Sequence, residues 1–302
     1  RAMRFARHGL LPKCLSMRNQ ILWALLLASS WVQVSATSAL CALCTRQTDS
    51  LALVSLYQAT DGANWTVTWN LQNPMTTWAG VLLDPGGCVR SIVLINNGLN
   101  GVLPASLGTL SDLRLLYLFG NFLNGPIPPE LGQLGKIEDL VLENNQLTGN
   151  IPQELGMCSS LKTLSLGNNF LDGELPAALG NLTELVTLVL SNNALTGSIP
   201  SSLGSLAKLG VLDLRRNQFG GSLPASLGQL SSLREFYVQN NRLSGTIPAS
   251  MGNLIQMNHF WVFDNDFTGE VPDLRAAPLA SFRIEDNRFS GIPDYSTVQT
   301  WG

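Results

Sequence analysis

The sequence predicts an α/β solenoid, in which short parallel strands and returning segments stack behind a helical cap. Three observations predict it. An asparagine recurs every 24 residues, a glycine and a proline follow it at fixed offsets, and alternating leucines precede it. The asparagines are Asn97, Asn121, Asn145, Asn169, Asn193, Asn217, Asn241 and Asn265, with Asn287 after a shorter step of 22 residues, so nine units are visible. Each unit has a glycine four positions after its asparagine, and all but the last have a proline three positions further on.

Each part of the unit has a mechanical reason. Leu188 and Leu190 alternate with Val189 and Ser191, the period of a strand with one buried face. One such strand is unstable alone; stacked on its neighbours it gains ladder hydrogen bonds and shares a continuous apolar core. Asn193 falls where the chain leaves the strand, so its amide is expected to bond the backbone groups of that bend and of the neighbouring one, and the column becomes a ladder. Gly197 permits a positive φ or a close backbone approach, and Pro200 fixes φ. The following segment, SSLGSLAKL, is long enough for one or two helical turns on the outer side.

The segment before the first unit should close the open end of the stack. Residues 37 to 88 are assigned to this cap, 89 to 293 to the nine units and 294 to 302 to a tail expected to stop short of the natural chain end. In DSLALVSLYQATDGANW, Asp49 and Ser50 are placed to cap a helix, Leu51, Val54 and Leu56 to pack it, and Asp61-Gly62 to end it. Trp65, Trp69 and Trp78 then offer apolar surface to cover the first unit. Upstream, MRNQILWALLLASSWVQVSATSA reads from Met17 as an export signal cleaved after Ala36. Its apolar run is shorter than the roughly 18 residues of a spanning helix. Residues 1 to 36 are accordingly an upstream segment plus signal peptide, and the mature chain is expected outside the cell or on the outer face of the plasma membrane.

Export fits the cysteines. Of Cys14, Cys41, Cys44, Cys88 and Cys158, the last four survive cleavage; a disulfide from Cys88 to Cys41 or Cys44 is expected, with Cys158 a buried thiol. Asn64-Trp65-Thr66 and Asn181-Leu182-Thr183 are glycosylation sequons. Past residue 36 the chain keeps 13 of its 18 basic residues against all 21 acidic ones, a balance of −8 that excludes nucleic acid and anionic lipid as partners. Only His8 and His259 are present, so neither a histidine-based triad nor a two-histidine zinc site has material. No enzyme activity and no cofactor are expected.

The phrase LTGSIPSSLGSLAKLGVLDLRRNQFGG, at 195 to 221, resembles the plant-type leucine-rich repeats of receptor-like kinase ectodomains, receptor-like proteins and polygalacturonase inhibitors. The resemblance covers residues 89 to 291. It implies a right-handed superhelix whose concave parallel sheet binds peptides, small ligands or proteins, with short helical or 3-10 segments on the convex side and a second small sheet at the LxGxIP segment. WAGVLLDPGGCV is similar to the family's capping element, with Thr76 and Leu83 in place of its cysteine pair, and ALVSLYQATDGANW resembles caps of algal and protist repeat proteins. The implied function is recognition of a protein or peptide, with room for a co-receptor or membrane tether, or for a kinase domain, in sequence beyond Gly302. A structural adhesion protein or a cell-wall enzyme inhibitor is the alternative.

A recognition surface should use the outward residues of the inner strands. Counting along the units places Asp213, Arg215, Tyr237, Gln239, His259, Trp261 and Phe263 on three adjacent strands about 5 Å apart. They are expected to form one exposed aromatic patch with charges at its edge, because large rigid side chains lose little entropy on binding.

Overall fold

The computed structural model describes residues 46–294. The readings on the export signal, Cys41, Cys44 and the tail lie outside the described residues.

Each of the nine units contributes one three- to five-residue strand to a single sheet of ten strands, ordered as in the chain. Neighbours are parallel and in register by one period: Leu188 lies beside Leu164 on one side and Leu212 on the other. At the short last unit the step falls to 22, with Trp261 beside Arg283. The tenth strand, Val81–Leu83, belongs to the cap and pairs antiparallel with Val89–Val93, a partner the sequence pattern does not reveal.

The alternation assigned to Leu188 and Leu190 holds, and both are fully buried along with Leu195, Leu203 and Leu206 of the same turn of the solenoid. After every asparagine except Asn193 a second strand runs along the flank, giving two four-stranded sheets, from Asn100–Val102 to Phe170–Asp172 and from Gly220–Gly221 to Arg288–Gly291. Hydrogen bonds cross the unit between them: Ala194 N–H to Leu171 O and Gln218 N–H to Leu195 O, both 2.8 Å. Gly197 has φ 75°, the left-handed value its place in the pattern requires.

The outer segments are 3-10 helices of five residues, tighter than an α-helix. Ser201–Ser205 is typical, with Pro200 before it at φ −64°. Between them runs a column the expectation passed over, Gly108, Gly132, Gly156, Gly180, Gly204 and Gly228, each against the backbone of the next unit's turn. Along another flank, Glu138 pairs with Arg114 at 2.8 Å and Lys162 at 2.7 Å, and Lys208 with Glu184 at 2.6 Å. Such exposed pairs are screened by solvent and add little to stability.

The asparagine column is a ladder. Asn169 donates from Nδ2 to the carbonyls of Leu142 and Leu166, both at 3.0 Å, and accepts the Leu147 N–H at Oδ1, 3.0 Å. One side chain thus ties together the bends of successive units. At the start of the column Asn97 makes the same bonds to the cap, accepting Val67 N–H at 2.7 Å and donating to Val67 O at 3.0 Å.

The cap helix, Arg46–Ala59, begins before the expected boundary. Asp49 is therefore not its cap. It lies in the first turn, fully buried, and its Oδ2 accepts the Val89 N–H at 2.7 Å, which fastens the helix to the first strand of the stack. Burial raises its pKa. The packing face is also rotated from the expected one: Ala52, Leu53 and Leu56 are buried and Val54 partly so, while Leu51 faces solvent. The three tryptophans are buried and belong to the same apolar cluster as the first unit. Trp69 stacks on Trp78 at 5.0 Å between ring centres and meets Trp65 edge-on at 4.9 Å, and each indole N–H finds a backbone carbonyl.

Cys158 is buried on the outer side, its Sγ 3.4 Å from Leu131 O, and burial pushes the thiol up to about 11. Cys88 is disulfide-bonded.

Candidate functional site

The residues singled out on the inner sheet do meet. The strands Val211–Asp213, Glu235–Tyr237, His259–Trp261 and Ser281–Arg283 lie side by side, with Asp213, Tyr237, Trp261 and Arg283 in one cross-strand row. Alternation turns these away from the core, while Leu212, Phe236, Phe260 and Phe282 point into it, the three rings stacked at 5.6 Å intervals. The core of these units is thus filled by phenylalanines where the middle units use leucine, which gives the aromatic row above it a rigid floor.

Tyr237 meets Trp261 edge to face with ring centres 5.0 Å apart, and His259 lies 6.1 Å from Tyr237 and 6.5 Å from Trp261. Phe263 is 6.3 Å from Trp261. Arg215 places its guanidinium 5.7 Å from the Tyr237 ring centre at one end of the row. The Trp261 indole donates to the Ser281 hydroxyl at 2.8 Å and is held upright by it. Tyr237, His259, Trp261, Phe263 and Arg215 are all partly exposed.

Two of the expected site residues are not exposed. Asp213 is 5% and Gln239 3% exposed. Asp213 stands between Val189 and Tyr237 of the flanking strands, and Gln239 between the positions of Arg215 and Phe263. Asp213 serves the patch from beneath: its carboxylate holds Arg215 Nε at 3.3 Å and accepts the Arg215 N–H at 3.2 Å. Burial raises its pKa, opposed by the charge of Arg215. Burial also raises the Tyr237 hydroxyl, with Glu235 adding to the shift. The Tyr237 hydroxyl therefore stays neutral at physiological pH.

One residue outside the expected set completes the patch. Arg283, in the ninth unit, lies 4.1 Å over Phe263 and 5.7 Å from Trp261, and its guanidinium pairs with Glu285. Its position follows from the same count that gave Trp261, carried through the two-residue deletion. Among the described residues no group of His, Cys, Asp and Glu is arranged to hold a metal ion, and no helix is long and apolar enough to cross a membrane.

The repeat pattern has counterparts among known families. Models described as leucine rich repeat match residues 112–134, 136–158, 159–219 and 183–243, which together run through the middle units of the stack. The chain is a leucine-rich-repeat protein. No curated protein matches it. Solved structures similar to it include the complex of PEPR1 with AtPEP1, 32% identical with a TM-score of 0.76 over 81% of this chain and 36% of that one. The leucine-rich-repeat ectodomain of the plant membrane receptor kinase GASSHO1/SCHENGEN3 from Arabidopsis thaliana, in complex with CASPARIAN STRIP INTEGRITY FACTOR 2, is 36% identical. Its TM-score is 0.78 over 81% of this chain and 30% of that one. The ectodomain of the Arabidopsis receptor kinase HAESA, in complex with an IDA peptide hormone ligand, is 29% identical with a TM-score of 0.60 over 80% and 50%. This leucine-rich-repeat chain therefore spans about a third to a half of the length of these relatives.

Proposed function

We propose that this leucine-rich-repeat protein is an extracellular recognition domain that binds a protein or peptide on the outward face of its ten-stranded sheet, in the manner of a receptor ectodomain. The carrying observation is the contiguous row Arg215, Tyr237, Trp261 and Phe263 on neighbouring strands. Aromatic and arginine side chains are the residues that most often anchor interfaces, and here they are fixed before a partner arrives. The relatives named above support the reading, since GASSHO1/SCHENGEN3 and HAESA are receptor kinase ectodomains solved in complexes, HAESA with a peptide hormone ligand.

A random peptide library displayed on phage and panned on the full chain tests this. Tyr237→Ala combined with Trp261→Ala is expected to weaken recovered peptides about a hundredfold while leaving the melting temperature nearly unchanged. Undiminished binding to the double variant would remove the row from the site. The location outside the cell rests on the export signal read from Met17 and on the sequons at Asn64 and Asn181, both exposed. Expressed from Met17 in a eukaryotic secretory host, the protein should reach the medium beginning at Thr37, with a gel mobility that shifts on endoglycosidase treatment. Retention inside the cell would contradict it.

A further inference from the structure

Around Phe263 two enclosed side-chain oxygens have no hydrogen-bond donor. Gln239 and Glu285 stand in register on either side of it, each two residues past the paired positions Tyr237, Trp261 and Arg283. Gln239 is almost wholly enclosed and its Oε1 has no hydrogen-bond partner, nor has Oε2 of Glu285. The two guanidinium groups of the patch already have acidic partners. Arg215 is held by Asp213 and Arg283 by Glu285, and the Asn240 amide donates to Asp264. Asp264 and Asp286 add two exposed carboxylates at the adjoining bends. Enclosed oxygens without donors are unfavourable, so a ligand that brings a donor gains more here than one that brings an acceptor.

Arg283 shows what the place holds. Its guanidinium lies over the Phe263 ring, faces Trp261 and pairs with Glu285, a cage of two aromatic rings and a carboxylate around one cation. We infer that this cage selects a lysine or arginine side chain of the peptide ligand, and that Arg283 occupies it while the ligand is away. The ligand's cation displaces Arg283 toward solvent, to which it is already partly open, and takes over the ring face, the Glu285 carboxylate and the unpartnered Gln239 oxygen. Past residue 36 the chain has 13 basic against 21 acidic residues, which draws cationic ligands toward it. The inference rests on the reading of this patch as the binding face and specifies the chemistry of what binds.

The probe is a degenerate nonapeptide library, acetylated and amidated at its ends so that side chains are its only cations. It is incubated with the full chain, and the retained peptides are sequenced by mass spectrometry. Lysine and arginine are expected to be enriched about tenfold over aspartate and glutamate relative to the input. Glu285→Gln should erase the preference, with Gln239→Met as the second variant should the first fail to fold. Arg283→Ala should raise the retained cationic fraction, because it empties the cage. Capture of a ligand carboxylate by Arg283 demands the reverse, acidic peptides enriched and retention lost in Arg283→Ala, and that result overturns the inference. So does a cationic preference that survives in Glu285→Gln and Gln239→Met. Retention without charge preference that is lost in the Tyr237→Ala, Trp261→Ala double variant sinks the cage but keeps the binding face. Retention indifferent to that double variant, or no retention at all, sinks both.

Discussion

Gly180→Ala is expected to destabilise the array by about 3 kcal/mol, the upper end of what overpacking costs. A Cβ at Gly180 would lie 2.5 Å from the carbonyl oxygen of Ser202, 2.6 Å from its Cβ and 2.7 Å from its carbonyl carbon. Two of those three are backbone atoms of the next unit's 3-10 turn, which is closed by Leu203 N–H to Pro200 O at 3.1 Å, so no side-chain rotation relieves the clash. The turns must separate, and the leucines beneath them lose their packing. Gly135→Ala is the control, since nothing lies within 4 Å of its added methyl, and Gly252→Ala should be milder because its nearest neighbour, Asp273 O, is 3.0 Å away. Urea midpoints at constant slope read the order. Equal midpoints for Gly180→Ala and Gly135→Ala would show that the outer turns are free to slide apart.

Asn169→Ala should cost a similar amount, about 3 kcal/mol, the top of the range for one orphaned buried group. Its loss leaves the Leu147 N–H enclosed without its acceptor, and the carbonyls of Leu142, Leu166 and Gly167 lose a donor at 3.0, 3.0 and 3.2 Å. Asn169→Asp is expected to be worse at neutral pH. It keeps the acceptor for Leu147 but sets a buried negative charge against three carbonyl oxygens. Those surroundings raise the folded-state pKa of the new carboxyl above its unfolded value, so the folded state binds more protons and the deficit shrinks as pH falls through that raised pKa. A melting temperature for Asn169→Asp that is flat or falls faster than wild type on acidification from pH 7 would contradict this. Hydrogen exchange at Leu147 should report the loss locally in both variants.

These two substitutions mark what the sequence discloses and what it hides. The asparagine column was legible because a buried amide at a bend has one job, and it recurs at a spacing no other fold requires. The glycine column recurs at the same spacing, in SLG, ELG and ALG, yet its reason is a backbone approach between units that only coordinates reveal. In the candidate site, strand alternation was enough to bring Tyr237, Trp261 and Phe263 together. It did not give depth. Whether an outward residue on one strand is exposed depends on side chains about 5 Å to either side, and Asp213 and Gln239 are enclosed. Arg283 holds the same place in the count as Trp261 but lies one strand beyond the three that carry the aromatic side chains, and so falls outside the expected set. The phase of the cap helix is ambiguous in the sequence, since in LALVSL either Leu51 or Leu53 can begin an apolar stripe; the structure buries Leu53 and joins Asp49 to Val89.

The asparagine bonds reach across 22 and 27 residues at one junction after another with almost unchanged lengths. In the asparagine ladder the seams from Asn145 to Asn265 are thus chemically alike, and these bonds do not fix how many segments the scaffold contains. Duplicating or excising one whole segment changes the reach of the binding face by the width of a single strand, about 4.8 Å, and leaves each remaining seam intact. Span is therefore adjustable independently of recognition chemistry, which resides in the few side chains that differ from one segment to the next.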